Sequence, residues 1–238
     1  MHTDNHYLVM SLGKLYVVGV GPGHHDHMTF RAKRVIEESQ IIVGYETYVS
    51  LVEDLINGKE VYRYPMTQEV DRANQAIDFA EKGWKKDKGI EVECVPGVSS
   101  LNSCSALIGS PLMTDFAVVS MSDLLVPWEI IIKRVEAAAL GDFVTVVYNP
   151  SSKKRIHQLK DARDIFLKYR SPETPVAIVK GAFRDSQSIV VTNLGKMLEY
   201  PDMMGMITTI IIGNSSSFNY DDMMINPRGY RSKYQLVK

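Results

Sequence analysis

The 238-residue sequence predicts an α/β fold, two α/β domains with mostly parallel or mixed sheets flanked by helices. Three observations predict it. Short β-branched runs alternate with helical patterns along the chain, the signature of strands covered by crossover helices. Several runs stop at glycine–proline punctuation, as at Gly21-Pro22-Gly23 and Pro96-Gly97. The alternation then starts afresh around Pro111–Asp115, dividing the chain into a tail 1–14, a domain 15–111 and a domain 112–238.

The first strand is LYVVGV at 15–20. Thr29 then caps a helix whose apolar positions Phe30, Val35 and Ile36 are separated by charges. Strands follow at 41–43 and 61–64, with a helical segment around 48–56 between them. A helix over 68–81 places Val70, Ala73, Ile77 and Ala80 on one face, and IEVECV at 90–95 is the next strand. In the second half the expected strands are 116–121, 143–148, 175–182, 188–194 and 206–214. Helices are expected over 127–139, with Pro127 in the first turn, and after Ser151 or Ser152, either of which can cap. TTIIIG is too apolar to be solvated on both faces.

Composition excludes several classes. With 45% hydrophobic and 23% charged residues the chain is neither disordered nor a rod. The 27 basic and 28 acidic residues leave a net charge of −1, so no global field attracts nucleic acid or an anionic membrane. Two cysteines cannot build a disulfide scaffold or a four-cysteine metal or iron–sulfur site. Core packing is expected for Cys94, in a strand, and Cys104, in a helix rich in small residues. No apolar run approaches a membrane span, and the first residues lack a signal peptide's core. A cytoplasmic protein with no nucleic-acid or membrane partner is expected.

GVGPG after the first strand is a poor dinucleotide fingerprint. His24 or Asp26 stands where the third glycine belongs, and Pro22 removes an amide donor from any phosphate cradle. A tight turn bringing backbone close to a ligand is the better reading. His24, His25, Asp26 and His27 lack a spaced partner and read as a solvated loop, so no protein-bound metal is expected. The hydroxyls of Ser99 and Ser100 suit either a helix cap or a ligand. The basic runs SSKKR (151–155) and PRGYRSK (227–233) suit either a solvated face or a carboxylate-bearing substrate.

Six ordered strings carry a resemblance: VVGVGPG (17–23), VGYETY (43–48), VECVPGVSS (92–100), SMSDLL (120–125), VVYNPSSKKR (146–155) and TTIIIGNSSS (208–217). Together they resemble the tetrapyrrole methylase family, the class III S-adenosyl-L-methionine-dependent methyltransferases. SDLLVPWE (122–129), YNPSSKKR and PRGY (227–230) are most similar to its corrin-pathway branch, which methylates C-17 of a corrin precursor and contracts the ring. The resemblance implies a cofactor cleft between two domains, S-adenosyl-L-methionine as methyl donor, a tetrapyrrole substrate and a homodimer. It implies cofactor contacts at Pro22, at Ser99 or Ser100, at Tyr148 and Asn149, at Gly181 and Ala182, and at Thr208 and Thr209. Lys153, Lys154, Arg155 and Arg228 are candidate anchors for substrate carboxylates. Asp123 and His157, with Glu46 behind them, are candidate general bases. Another corrin methylase, a diphthine-forming enzyme, an rRNA 2′-O-methylase and a non-catalytic ligand-binding protein remain open.

One departure stands out. The family pattern carries a further strand, a GDPxxYG-type loop and a helix before the 90–95 strand, where this sequence has only WKKDKG (84–89). A deletion there would leave neighbouring strands with unpaired backbone groups, so an omitted stretch of sequence is the favoured reading.

Overall fold

In the computed structural model the chain divides into two compact units between Val98 and Ser99. The structure describes residues 13–82, 90–151 and 157–229. Both units combine strands and helices as the sequence predicts, but they meet earlier than residue 111. The segment 99–111 was expected with the first domain. Its helix buries Cys104, with Ile108 just beyond it, among Val144, Val146, Ala177 and Ile211 of the second unit, and that apolar interface decides its allegiance.

The first unit holds two parallel strand pairs. β1 (Lys14–Val18) pairs with β4 (Glu91–Val95), and β2 (Ile41–Tyr45) pairs with β3 (Glu60–Tyr64). No strand among the described residues joins the pairs into one sheet. They share a core nonetheless. Val18, Ile42 and Val61 pack around Ile36 of α1 (Phe30–Glu38), Val49 of the short α2 (Glu46–Val49) and the following 3-10 turn. Thr29 caps α1 as expected, its Oγ1 accepting the Ala32 amide at 3.1 Å.

The cost of the unjoined sheet falls on faces that should be covered. Val17 and Val92 are 57% and 59% exposed on neighbouring strands, and Cys94, expected in the core, is exposed as well. α3 (Glu69–Lys82) leaves Val70, Ala73 and Ile77 of its predicted apolar face in solvent. It is held instead by Phe79, whose ring lies 4.5 Å from that of Tyr62. A helix stripe is buried only where a sheet face lies beneath it. The stretch 84–89 lies outside the described residues.

The second unit is built on a five-stranded mixed sheet of order β6-β7-β10-β8-β9. Its strands are β6 (Phe116–Ser120), β7 (Val144–Tyr148), β8 (Pro175–Lys180), β9 (Ser188–Asn193) and β10 (Thr208–Ile212). β10 lies in the centre, antiparallel to both β7 and β8, and all five of its residues are buried. The period-2 pattern assigns the two faces. Ile210, Ile212, Val147, Val176 and Ile178 face α5 (Trp128–Leu140) and α6 (Gln158–Phe166). Ile211, Val144, Val146, Ala177 and Val179 face α4 (Ser100–Leu107) and Met224. Met224 belongs to a small sheet of β11 (Phe218–Tyr220), β12 (Met223–Ile225) and β5 (Gly109–Ser110), too short to be anticipated.

Two helix starts differ from expectation. Pro127 is the N-cap of α5 rather than a first-turn residue, its ψ of 140° being extended. α6 starts at Gln158 with His157 at the cap, so Ser151 does not cap it, and Ser152 lies outside the described residues.

Candidate functional site

In a sheet with parallel strands, ligands collect beyond the carboxyl ends. The second unit assembles such an end. β6, β7 and β8 run the same way, and the register aligns Ser120 with Tyr148, Tyr148 with Thr209, and Thr208 with Lys180. Tyr148, Asn149, Gly181, Ala182, Thr208 and Thr209 therefore gather at one end of one sheet. The N-terminus of α4 joins them, because the Leu101 amide donates to the Tyr148 hydroxyl at 3.0 Å. Ser99 and Ser100 are exposed there, and Ser99 takes the N-cap position without a side-chain capping bond.

Backbone conformation at this end is unusual. Asn149 (φ 51°) and Phe183 (φ 56°) adopt the left-handed region, as does Gly181 (φ 59°) between them in sequence. Such conformations persist only where surroundings over-determine them, and they concentrate at ligand sites. Asn149 Nδ2 donates to Ser120 Oγ at 3.1 Å, and the Met121 amide donates to the Tyr148 carbonyl at 2.9 Å. The Phe183 amide is held by Gln187 Oε1 at 2.8 Å. Ser120 and Phe183 were not anticipated, since nothing in their local sequence marks a left-handed turn or a side-chain acceptor.

The threonine pair is more enclosed than a ligand-lining role suggests. Thr208 and Thr209 are both buried, and Thr208 Oγ1 donates to the Met203 carbonyl at 2.5 Å. Thr209 hydrogen-bonds Cys104, whose thiol burial pushes above its ordinary pKa and so keeps protonated. Both hydroxyls of the pair are thus engaged within the protein.

In the first unit, Pro22 is buried in the loop after β1. That loop is fixed by backbone packing. The Gly19 amide donates to the Val95 carbonyl at 2.9 Å, and Thr29 Oγ1 donates to the Pro96 carbonyl at 3.1 Å. Gly21 (φ 80°) lies so close to the His27 carbonyl that a Cβ would sit 2.7 Å from its oxygen. The close approach expected for a ligand is made at Gly19 by the chain itself, at Gly97.

Asp123 and His157 come into one neighbourhood, since Gln158 Nε2 donates to Asp123 Oδ2 at 3.2 Å and His157 precedes it. Both are exposed, as is Glu46 in the first turn of α2. Arg228 is exposed near the described C-terminus, whereas Lys153, Lys154 and Arg155 lie outside the described residues. His25 Nε2 stands 3.2 Å from Asp54 Oδ1, and no group of three potential metal ligands occurs among the described residues. No helix among them is long and apolar enough to cross a membrane.

Comparison with known proteins agrees with this architecture. The model of the Tetrapyrrole (Corrin/Porphyrin) Methylases matches residues 14–87 and 75–198. A cobalt-factor III methyltransferase of Priestia megaterium is 46% identical over 252 residues, covering 94% of this chain and 46% of that protein. A probable cobalt-factor III C(17)-methyltransferase of Salmonella typhimurium is 35% identical over 240 residues, covering 91% of this chain and 99% of that one. The chain thus spans about half the length of the first relative and nearly the whole of the second. The crystal structure of the methyltransferase CobJ superimposes with a TM-score of 0.78 at 27% identity, covering 89% of this chain and 98% of that one. By family model, by relatives of similar length and by fold, the chain belongs to the tetrapyrrole methylase family.

Proposed function

We propose that the chain is an S-adenosyl-L-methionine-dependent C-methyltransferase acting on a corrin precursor in cobalamin biosynthesis. The proposed substrate is precorrin-3B or cobalt-factor III, methylated at C-17 with contraction of the ring. The observation that carries the reading is the gathering of Tyr148, Asn149, Gly181 and the α4 N-terminus at one sheet end, in a chain that covers 99% of a relative named a probable cobalt-factor III C(17)-methyltransferase.

The residues at that end fit an adenosyl cofactor. They offer serine hydroxyls, a helix N-terminus that Ser99's own side chain does not cap, and turned backbone groups, which suit a largely uncharged nucleoside. When bound, S-adenosyl-L-methionine supplies a methyl group on a positively charged sulfur that is already reactive. The protein's share of the work is therefore alignment and exclusion of water. In the second unit we assign cofactor contact to Ser99, Ser100, Tyr148, Asn149, Gly181 and Ala182, with the strand end at Thr208 and Thr209. Ring contraction requires loss of a hydroxyl proton, and Asp123 or His157 would accept it. Lys153, Lys154, Arg155 and Arg228 would meet the substrate's carboxylates. A homodimer in the cytoplasm completes the proposal.

The two unjoined strand pairs of the first unit favour one second reading, a protein that binds a tetrapyrrole without catalysis. Calorimetry with S-adenosylhomocysteine separates the two. Saturable binding, weakened by Tyr148→Ala, supports the methyltransferase. Absence of binding supports the alternative.

A further inference from the structure

One hollow of the second unit has a composition that the assigned residues do not explain. It lies between the loop following β6 and the face of α5, with a volume of about 230 Å³. Its walls include Leu124, Leu125 and Val126, its inner side Ile131, and its polar lining Ser120, Ser122 and Arg134.

Leu124 and Leu125 are 75% and 90% exposed. A single exposed leucine is ordinary. Two in succession on the wall of a hollow whose inner side is the buried Ile131 form an apolar surface without a cover. Arg134 is exposed, and no hydrogen bond or ion pair engages it among the described residues. Apolar walls with one unengaged guanidinium suit a flat apolar ring that carries a carboxylate at its edge, because the guanidinium fork pairs with carboxylates in bidentate fashion. Asp123, in the same loop, opposes such a ligand; Gln158 Nε2 donates to its Oδ2 and ties that carboxylate to α6 without cancelling its charge, so the attraction has to come from Arg134. Complete small-molecule sites occupy roughly 300–1,000 Å³, so the hollow holds an edge of a macrocycle and not the whole. It begins at Ser120, whose Oγ accepts from Asn149 Nδ2 and from the Ser122 amide at 3.1 and 3.2 Å, so it adjoins the strand end described above.

We propose that this hollow is a tetrapyrrole-edge subsite in which Leu124 and Leu125 contact the ring and Arg134 pairs with one peripheral carboxylate. The proposal rests on the methyltransferase reading for its choice of ligand, and it adds Arg134 to the anchors named above.

The test is direct binding, so it does not depend on turnover. Uroporphyrin III, an apolar ring with peripheral carboxylates, is titrated by absorbance into the full chain. Arg134→Gln should weaken its binding about tenfold, the scale of one charge-assisted bidentate pair, and Arg134→Lys should recover part of the loss. The Leu124→Ser/Leu125→Ser double variant should weaken binding without changing the dependence on salt. S-adenosylhomocysteine affinity should stay the same in all three, which also shows that they fold. Equal uroporphyrin affinity in wild type and Arg134→Gln overturns the proposal, as does a wild-type chain that binds no carboxylated tetrapyrrole. A chain that binds the tetrapyrrole through Arg134 but transfers no methyl group leaves the subsite standing and refutes the enzymatic reading.

Discussion

Gly19 and Gly97 stand backbone to backbone: a Cβ on Gly19 would lie 2.6 Å from the Gly97 amide nitrogen, and one on Gly97 would lie 2.5 Å from the Gly19 carbonyl oxygen. The loops after β1 and β4 are thereby clamped, and neither side can yield because both are main chain. Gly19→Ala should lower stability by about 1–3 kcal/mol, the usual cost of overpacking. Urea denaturation followed by circular dichroism measures it. An unchanged midpoint would mean the two loops separate freely.

Arg170 is the most buried cation described, with a side chain 1% exposed. Its guanidinium donates to the carbonyls of Gly213, Ala138 and Phe143 and stacks on Phe166. Burial pulls its pKa down to about 10, still well above neutrality, so the group remains a cation. Arg170→Met should destabilise by about 2–4 kcal/mol, because the carbonyls of Gly213, Ala138 and Phe143 each lose a charge-assisted hydrogen bond, although Ala138 keeps the Phe143 amide and Phe143 keeps the Thr145 hydroxyl. Thermal unfolding reads this, and a loss under 1 kcal/mol would show that water replaces the donor.

Glu93 accepts from Arg31 Nη2 on both carboxylate oxygens, at 2.7 and 2.8 Å, and from Arg31 Nε at 3.0 Å, and it pairs with Lys14 at 2.9 Å. Hydrogen bonds from Arg31, and then from Lys14, hold its carboxyl below the usual range. A depressed carboxylate pKa stabilises the fold above the unfolded-state value and loses that contribution as pH falls through the folded-state value. Below about pH 5 the stability of Glu93→Gln should therefore fall less steeply than that of wild type. The difference should shrink in high salt, because the cluster faces solvent. Parallel acid-limb slopes would contradict the assignment.

The unjoined strand pairs make a prediction about dynamics. Strands at Thr208–Ile212 and Pro175–Lys180 are paired on both sides and buried, whereas β1 and β2 each have a single partner among the described residues. Backbone hydrogen exchange should be slowest in β10 and β8 and markedly faster in β1 to β4. Uniform protection would show that the first unit's edges are covered in solution.

Much of the second unit was legible because its strands are apolar on both faces and its helices carry clear stripes. TTIIIG is too apolar to be solvated on both faces, and Thr208–Ile212 is buried along its whole length. The first unit was legible as elements but not as a sheet. Val70, Ala73 and Ile77 form a sound helical stripe, yet burial of a stripe depends on what lies beneath it, which the stripe itself does not encode. Cys94 missed its expected core position for the same reason. At the candidate site, the strand-end residues could be named from the motif strings, but the left-handed turns at Asn149 and Phe183 had no glycine to mark them. Arg134 escaped notice because an arginine on an amphipathic helix reads as a solvated charge until the neighbouring loop is placed beside it.

Incubation of the purified chain with S-adenosyl-L-methionine and cobalt-factor III, followed by mass spectrometry of the tetrapyrrole, tests the central claim most directly. The account predicts a product heavier by one added methyl group, formed only when both reactants are present and accompanied by S-adenosylhomocysteine. An unmodified tetrapyrrole recovered with a protein that binds both compounds would contradict it.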